Sequence, residues 1–258
     1  MEVVALRNEL KWRLRRGEQT VGIWITIPHP DVSEALSTLP FDWFVFDQEH
    51  SPLDEQLTQE LMQAMKGTRI APLIRVAWND PVLIKKALDT GAYGVIVPWV
   101  NSREDAVKAV RACRYAPEGI RGCGPRRTIL LDPDYLKTAN REILVIVQIE
   151  TEEAVEKAED ILSTEGVDAF FIGPFDLSTS MGLMGQVTHP KVQKAINRVF
   201  EIGRKLGVAS GIWCGAGMTL KERLEQGWQF LALGMDLDFL LNGARMVLEE
   251  AGVAAKRQ

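Results

Sequence analysis

Short apolar runs alternate with amphipathic segments from one end of the chain to the other. Eight runs stand out, at 21–26, 42–47, 70–76, 93–98, 143–149, 168–173, 208–213 and 229–234, and most are apolar at successive positions rather than at every second one. That pattern predicts parallel strands buried on both faces, by helices outside and by a packed core inside. The segments between the runs carry helix punctuation. Asp80 and Pro81 predict an N-cap and a first helical position, Leu83, Ile84, Ala87 and Leu88 form a stripe, and Gly91 stands where the helix ends. Ser102 is placed to cap a helix bearing Ala106, Val107 and Val110, and Thr151 one bearing Ala154, Val155, Ala158, Ile161 and Leu162. Helical spacing recurs at Val192, Ile196, Val199 and Phe200, and again at Leu240, Leu241, Ala244, Val247 and Leu248. Eight strands with intervening helices, and no low-complexity linker between them, predict one α/β domain over 1–258 folded as a (β/α)8 TIM barrel.

Composition leaves that picture intact. With 46% apolar and 25% charged residues among 258, the chain has material for a large core and is neither disordered nor collagen-like. A formal charge of -5 provides no basic field for nucleic acid or an anionic membrane, so small-molecule partners are favoured. No uncharged stretch reaches the ~18 residues that a membrane helix needs. Met1 to Arg16 carries charges where a signal peptide has an apolar core, so a cytoplasmic protein is expected. Cys113, Cys123 and Cys214 form no Cys-x-x-Cys pair and read as small buried residues rather than as a disulfide framework or a zinc site.

In barrels of this kind the chemistry sits at the C-terminal ends of the strands, where polar residues acquire a different meaning. The second strand ends in Asp47-Gln48-Glu49-His50, the third in Arg75 and the fifth in Gln148-Ile149-Glu150, while the sixth runs into Gly173-Pro174-Phe175-Asp176. Gln148 and Glu150 are two apart and share a face, which must be the interior if Glu150 is to be useful, with Val147 and Ile149 outside. Glu150 and Asp176 could supply two carboxylates to a hard divalent cation with positions left open for substrate. Taken alone, such a pair reads as readily as a solvated one; the strand-end placement favours the metal. Arg75 reads either as a salt-bridge partner for Glu150 or Asp47, or as the fixed cation that an enolate oxygen requires. His29 and His189 each precede a proline and read as surface loop residues. His50 differs, because Asp47, Glu49 and His50 crowd three titratable groups into four residues, a costly arrangement without a cation or a proton-transfer task.

The strings FDWFVFDQEHSPLD, PLIRVAWNDP, VQIET and FIGPFDLSTSMG, in that order and each at an expected strand end, resemble the class II pyruvate aldolases of the HpcH/HpaI family over about residues 18 to 250. That family includes 4-hydroxy-2-oxoheptanedioate and 2-dehydro-3-deoxyglucarate aldolases, on barrels of the phosphoenolpyruvate/pyruvate-domain type. The resemblance implies a lyase that splits 4-hydroxy-2-oxo acids into pyruvate and an aldehyde through a metal-bound pyruvate enolate. It implies Mg²⁺, Mn²⁺ or Co²⁺ on Glu150 and Asp176, no organic cofactor, and pyruvate held by Gln148 and the backbone near Phe175 and Asp176. His50 would be the base, Asp89 the carboxylate that raises its basicity, and Arg75 the enolate stabiliser, with Asp47 and Glu49 in support. A metal and a fixed cation make a Schiff-base lysine unnecessary, and no lysine stands at an expected strand C-terminus. Family members commonly form hexamers with the C-terminal helix packed on a neighbour, so the resemblance implies a homo-oligomer in which that helix can be exchanged; the apolar stripe of residues 240–248 is compatible with this and serves a monomer equally.

Departures from the family pattern gather around the aldehyde. Gln48 replaces a usual glycine, Phe175 stands where a small residue is common, and Trp213 ends the seventh strand where an aliphatic residue is frequent, so a narrower mouth is expected. The RGCGPRRTILLDPDY segment is several residues shorter than in close relatives. Its Arg121, Arg126 and Arg127 read equally as binders of an acidic aldehyde and as a solvated basic loop. Two other functions compete with the aldolase: a citrate-lyase-like enzyme acting on an acyl-CoA ester, and a silent binding barrel. The intact D-x-E-H motif speaks against the first, and the presence of Arg75, Glu150 and Asp176 against the second.

Overall fold

The computed structural model describes residues 8–214 and 220–253; the expected domain limits, and the charges before Asn8, lie partly outside them. The eight apolar runs are eight strands: β1 (Thr20–Ile25), β2 (Trp43–Asp47), β3 (Ala71–Arg75), β4 (Gly94–Val97), β5 (Leu144–Ile149), β6 (Ala169–Ile172), β7 (Ala209–Trp213) and β8 (Phe230–Met235). They pair in parallel in chain order, and β1 pairs with β8 to close the barrel. Helix α1 (Glu9–Arg15) precedes β1. After the strands follow α2 (Pro30–Ser37), α3 (Glu55–Ala64), α4 (Pro81–Asp89), α5 (Arg103–Cys113), α6 (Thr128–Leu131), α7 (Tyr135–Glu142), α8 (Glu152–Glu156), α9 (Ala158–Leu162), α10 (Pro174–Ser180), α11 (Pro190–Leu206), α12 (Leu220–Gln226) and α13 (Asp236–Glu250). No helix among the described residues is long and apolar enough to cross a membrane.

Alternation along the strands sorts the core into two shells. Val145, Val147 and Ile149 face the helices, whereas Leu144 and Ile146 join Trp24, Trp43, Phe171 and Phe230 inside the barrel. The interior is therefore aromatic, with Trp43 stacked on Phe230 at 4.0 Å. Room for it comes from Gly22, where a Cβ would run into the Trp43 ring. Because Gln148 and Glu150 continue the inward series of β5, both arrive at the mouth pointing in, as the two-residue spacing requires.

The helix starts follow local chemistry. Asp80 accepts the backbone N–H of Val82 (2.7 Å), Ser102 that of Asp105 (3.1 Å) and Thr151 that of Ala154 (3.0 Å). The segment expected as one helix after Thr151 is two, α8 and α9, loosened at Lys157 but with Ala154, Val155, Ala158, Ile161 and Leu162 all buried. His29 and His189 stand in loops at the surface as expected, and each also caps the helix that follows: their Nδ1 atoms accept from the backbones of Asp31 (3.3 Å) and Lys191 (3.2 Å). Cys113 and Cys214 are buried as expected, but Cys123 is exposed because its loop runs over the surface. Helix α13 forms where its spacing predicts, yet only Asp236 in it is buried, and Leu240 (63% exposed) and Val247 (65%) face outward.

Candidate active site

Asp47 and Arg75 are register partners on β2 and β3 and both occupy inward positions. Arg75 Nε and Nη2 donate to Asp47 Oδ1 (2.8 Å) and Oδ2 (2.7 Å), a two-pronged pair that fixes the guanidinium plane. Its third nitrogen, Nη1, lies 3.1 Å from Glu49 Oε2. Asp47 Oδ1 also accepts the backbone N–H groups of Glu49 (3.1 Å) and His50 (3.4 Å), so one carboxylate shapes the turn that carries both residues. The two readings of Arg75 thus coexist: it is salt-bridged, to Asp47 and Glu49 rather than to Glu150, and it faces the cavity described below. His50 stands at the rim with its side chain 62% exposed and Nε2 3.7 Å from Glu49 Oε2.

On the opposite side, Glu150 and Asp176 converge on Gly173, the residue that follows β6 and stands at the N-cap of α10. A Cβ on Gly173 would sit 3.1 Å from Gln148 Nε2, 3.4 Å from Asp176 Oδ2 and 3.5 Å from Glu150 Oε2. The glycine therefore leaves open a small space ringed by three polar side chains. Gln148 donates to Glu150 Oε2, while its own Oε1 is buried without a hydrogen-bond partner. Trp99, just past β4, adopts a left-handed backbone (φ 55°) and donates its N–H to Glu150 Oε1 at 2.7 Å. Such a conformation is strained for a bulky residue, by ~1–3 kcal/mol, and here it aims a donor at a buried acid.

The electrostatics are unbalanced. Burial pushes Glu150 up to about 7 against the Trp99 hydrogen bond, with Glu49 and Asp176 adding to the rise. Burial likewise pushes Glu49 up to about 7; Arg75 opposes it, and Asp47 and Asp176 reinforce it. A divalent cation would remove that conflict, and the donor set suits a hard one. Among the described residues no three His, Cys, Asp or Glu side chains form a metal-binding group, so a cation here would rest on two carboxylates and keep positions free for substrate.

These groups open into a cavity of ≈ 560 Å³ at the C-terminal mouth. Arg75, Gln148, Asp176 and His50 line its polar side, and Trp24, Phe171, Trp213 and Phe175 its apolar side. Trp24 packs against Phe171 (4.8 Å between centroids) and Trp213 (5.5 Å), making one aromatic surface. Trp24 and Phe171 escaped the sequence reading because an inward aromatic within a strand looks like core. So did the Trp99 N–H, which no side-chain pattern encodes. Asp238, in the first turn of α13, also lines the mouth and escaped because it follows a strand end by three residues.

Three expectations meet a different arrangement. Gln48 does not narrow the mouth: its Nε2 donates to Thr58 Oγ1 (3.0 Å) on α3 and it is absent from the cavity wall. Asp89 ends α4 and lines a separate groove with Glu55, Gln59, Lys86 and Arg126, so this chain does not bring it to His50. It accepts instead from Arg121 Nη2 at 2.7 Å. Arg121 is buried, its Nη1 donating to the Tyr135 hydroxyl (2.9 Å), and Arg127 donates to the Thr90 carbonyl, so neither belongs to a solvated basic loop.

Charged groups gathered at the C-terminal mouth of a (β/α)8 barrel define the class: an enzyme of the α/β-barrel type. The model of the family described as HpcH/HpaI aldolase/citrate lyase matches residues 20–243. A 5-keto-4-deoxy-D-glucarate aldolase of Enterobacter sp. (strain 638) is 40% identical over 233 residues, 89% of this chain and 91% of its own. A 4-hydroxy-2-oxo-heptane-1,7-dioate aldolase of Escherichia coli is 39% identical over 254 residues, 97% of each chain. The crystal structure of an HpcH/HpaI aldolase/citrate lyase family protein from Burkholderia cenocepacia J2315 superposes with a TM-score of 0.91 at 35% identity, covering 95% of this chain and 99% of that one. The chain belongs to the HpcH/HpaI aldolase/citrate lyase family, and is a carbon–carbon lyase of the aldolase class.

Proposed function

We propose that this aldolase cleaves 4-hydroxy-2-oxo acids reversibly to pyruvate and an aldehyde, with a divalent cation on Glu150 and Asp176. The observation that carries this reading is the convergence of those two carboxylates and Gln148 on the open space at Gly173, across the cavity from Arg75. When bound, Mg²⁺, Mn²⁺ or Co²⁺ supplies Lewis-acid chemistry, drawing negative charge onto the oxygen of a carbonyl. The side chains do the rest. Gln148 and the first backbone N–H groups of α10, near Phe175 and Asp176, hold the carboxylate of a 2-oxo acid. Arg75, oriented by Asp47, presents a permanent positive charge to an enolate oxygen. His50 takes the proton of the C4 hydroxyl as the carbon–carbon bond breaks, and returns one in condensation. Trp213 and Phe175 border the aldehyde. Asp89 lies outside the cavity, so any effect on His50 would have to come from another copy of the chain. The uncovered apolar face of α13 supports assembly as a homo-oligomer, a hexamer on the family resemblance.

Exchange of the pyruvate methyl protons for deuterium, followed by NMR without an acceptor aldehyde, tests this reading. The expected result is exchange that chelation abolishes and added Mn²⁺ restores. Exchange that persists in a verified metal-free sample would overturn the metal assignment, and no exchange with metal present would overturn the pyruvate reading and favour a silent barrel.

A further inference from the structure

Two donors hold the Glu150 carboxylate. Gln148 serves its Oε2, and the Trp99 N–H serves its Oε1 at 2.7 Å. A carboxylate oxygen has two lone pairs, so both bonds can be kept while a further pair faces a cation. The N–H is aimed by the left-handed backbone of Trp99 (φ 55°), the one non-glycine residue among those described with a positive φ. An L side chain resists that conformation, a bulky one most of all. The surroundings hold it on both sides. Val100 is buried, and the Asn101 side chain accepts from Thr151 Oγ1 at 2.5 Å. The Trp99 ring lies 5.8 Å from that of Trp78, tilted by 32°. Trp78 follows β3 and Trp99 follows β4, and one residue joins their loops. Asp105, in the first turn of α5, accepts Asn79 Nδ2 on its carbonyl (3.0 Å) and the Asn101 N–H on Oδ2 (3.1 Å).

Resting on the metal reading of Glu150, we propose that Trp99 is a positioning residue for the cation site. Its left-handed backbone, braced by the Trp78 ring and by Asp105, presets the Glu150 carboxylate, so cation affinity follows the conformation that residue 99 can adopt and not its bulk. A carboxylate free to turn has to be ordered when the cation binds, and the entropy lost is subtracted from the affinity. Loss of a hydrogen bond to a charged group amounts to about tenfold or more. Trp78 acts one step further out: it touches Trp99, and only through Trp99 does it reach Glu150.

Mn²⁺ binding to the whole protein, read without substrate from the EPR signal of free Mn²⁺, separates conformation from packing across Trp99→Gly, Trp99→Asn, Trp99→Ala and Trp99→Leu. Glycine and asparagine enter the left-handed region at little cost, and alanine and leucine do not. The Kd should stay within about threefold of the wild type in Trp99→Gly and Trp99→Asn, and weaken about tenfold in Trp99→Ala and Trp99→Leu. Asparagine and leucine are nearly equal in size, so that pair carries the test even where Trp99→Gly unfolds. Trp78→Ala should weaken binding by itself and add nothing in the Trp99→Gly background, where no conformation needs bracing. The reverse order, with Trp99→Leu nearest the wild type and Trp99→Gly weakest, would make the ring a packing residue and overturn the proposal, and so would a Kd unmoved across the series. A wild type that binds no Mn²⁺, or binds it equally well after Glu150→Gln, would overturn the metal assignment and this proposal with it.

Discussion

At the N-terminal end of the barrel, α1 lies under the strand starts and the buried charges there are matched. Lys11 Nζ sits 2.8 Å from Asp168 Oδ2 and donates to the Ile143 carbonyl at 2.7 Å, with both charged side chains nearly inaccessible to water. Asp168 also accepts from Arg15 (3.0 Å) and the Val145 N–H (3.0 Å), and Glu142 from the Asn8 N–H (3.0 Å), Trp12 Nε1 (2.9 Å) and Arg141 Nε (2.8 Å). At the C-terminal end, four carboxylates, Asp47, Glu49, Glu150 and Asp176, gather near one guanidinium among the described residues, that of Arg75. A matched network closes and stiffens the fold, because its members have no demand left to place on a ligand. An unmatched one opposes folding and persists where a bound cation or substrate completes it.

That contrast can be broken at either end. The largest effect is expected for Glu150→Gln, which should lower pyruvate exchange about a thousandfold by removing a charged ligand. The melting temperature of the chelated protein should stay level or rise, because one uncompensated charge has gone. A parallel fall in both would instead make Glu150 a structural residue. At the other end, Lys11→Met should cost about 3 kcal/mol in urea unfolding, since Asp168 then loses its nearest buried cation. Exchange per folded molecule should be retained; a stability change below about 0.5 kcal/mol would show that Arg15 and water suffice for Asp168. The smallest change is expected for Glu49→Gln, within about 0.5 kcal/mol of the wild type near pH 7. Its carboxyl, pushed up to about 7 by burial, is already partly neutral there, and the amide keeps its shape. A loss comparable to that of Lys11→Met would mean that the Arg75–Glu49 contact is a structural pair like those under the barrel.

Much of this molecule is legible in the chain itself. The apolar runs place all eight strands to within a residue or two, because parallel strands buried on both faces leave few places for polar residues. Period-two alternation puts Gln148 and Glu150 on the inward face of β5, a consequence of the pleat that needs no knowledge of neighbours. The strand-end rule then turns Asp47, Glu49, His50, Arg75 and Asp176 into candidates for one site. Alternation cannot say which inward residues will touch. Arg75 meets Asp47 because β2 and β3 pair in that register, and Glu150 meets the Trp99 N–H because β4 and β5 are neighbours paired with Val97 beside Val147, which carries the residues after both strands to the same place.

What only the tertiary structure decided has a common cause. Gln48 turns to Thr58 and Asp89 to Arg121 because helices packed outside the barrel offer them partners, a choice set by elements distant in the chain. Trp24 and Phe171 become cavity wall because barrel closure carries their tier to the mouth rather than to the floor. Asp238 reaches the rim because Asp236 ties α13 to β1, more than two hundred residues away in sequence. Periodicity and capping are local properties and reside in neighbouring residues. Register, closure and helix docking are long-range, and they determine which of the inward-facing groups share one pocket.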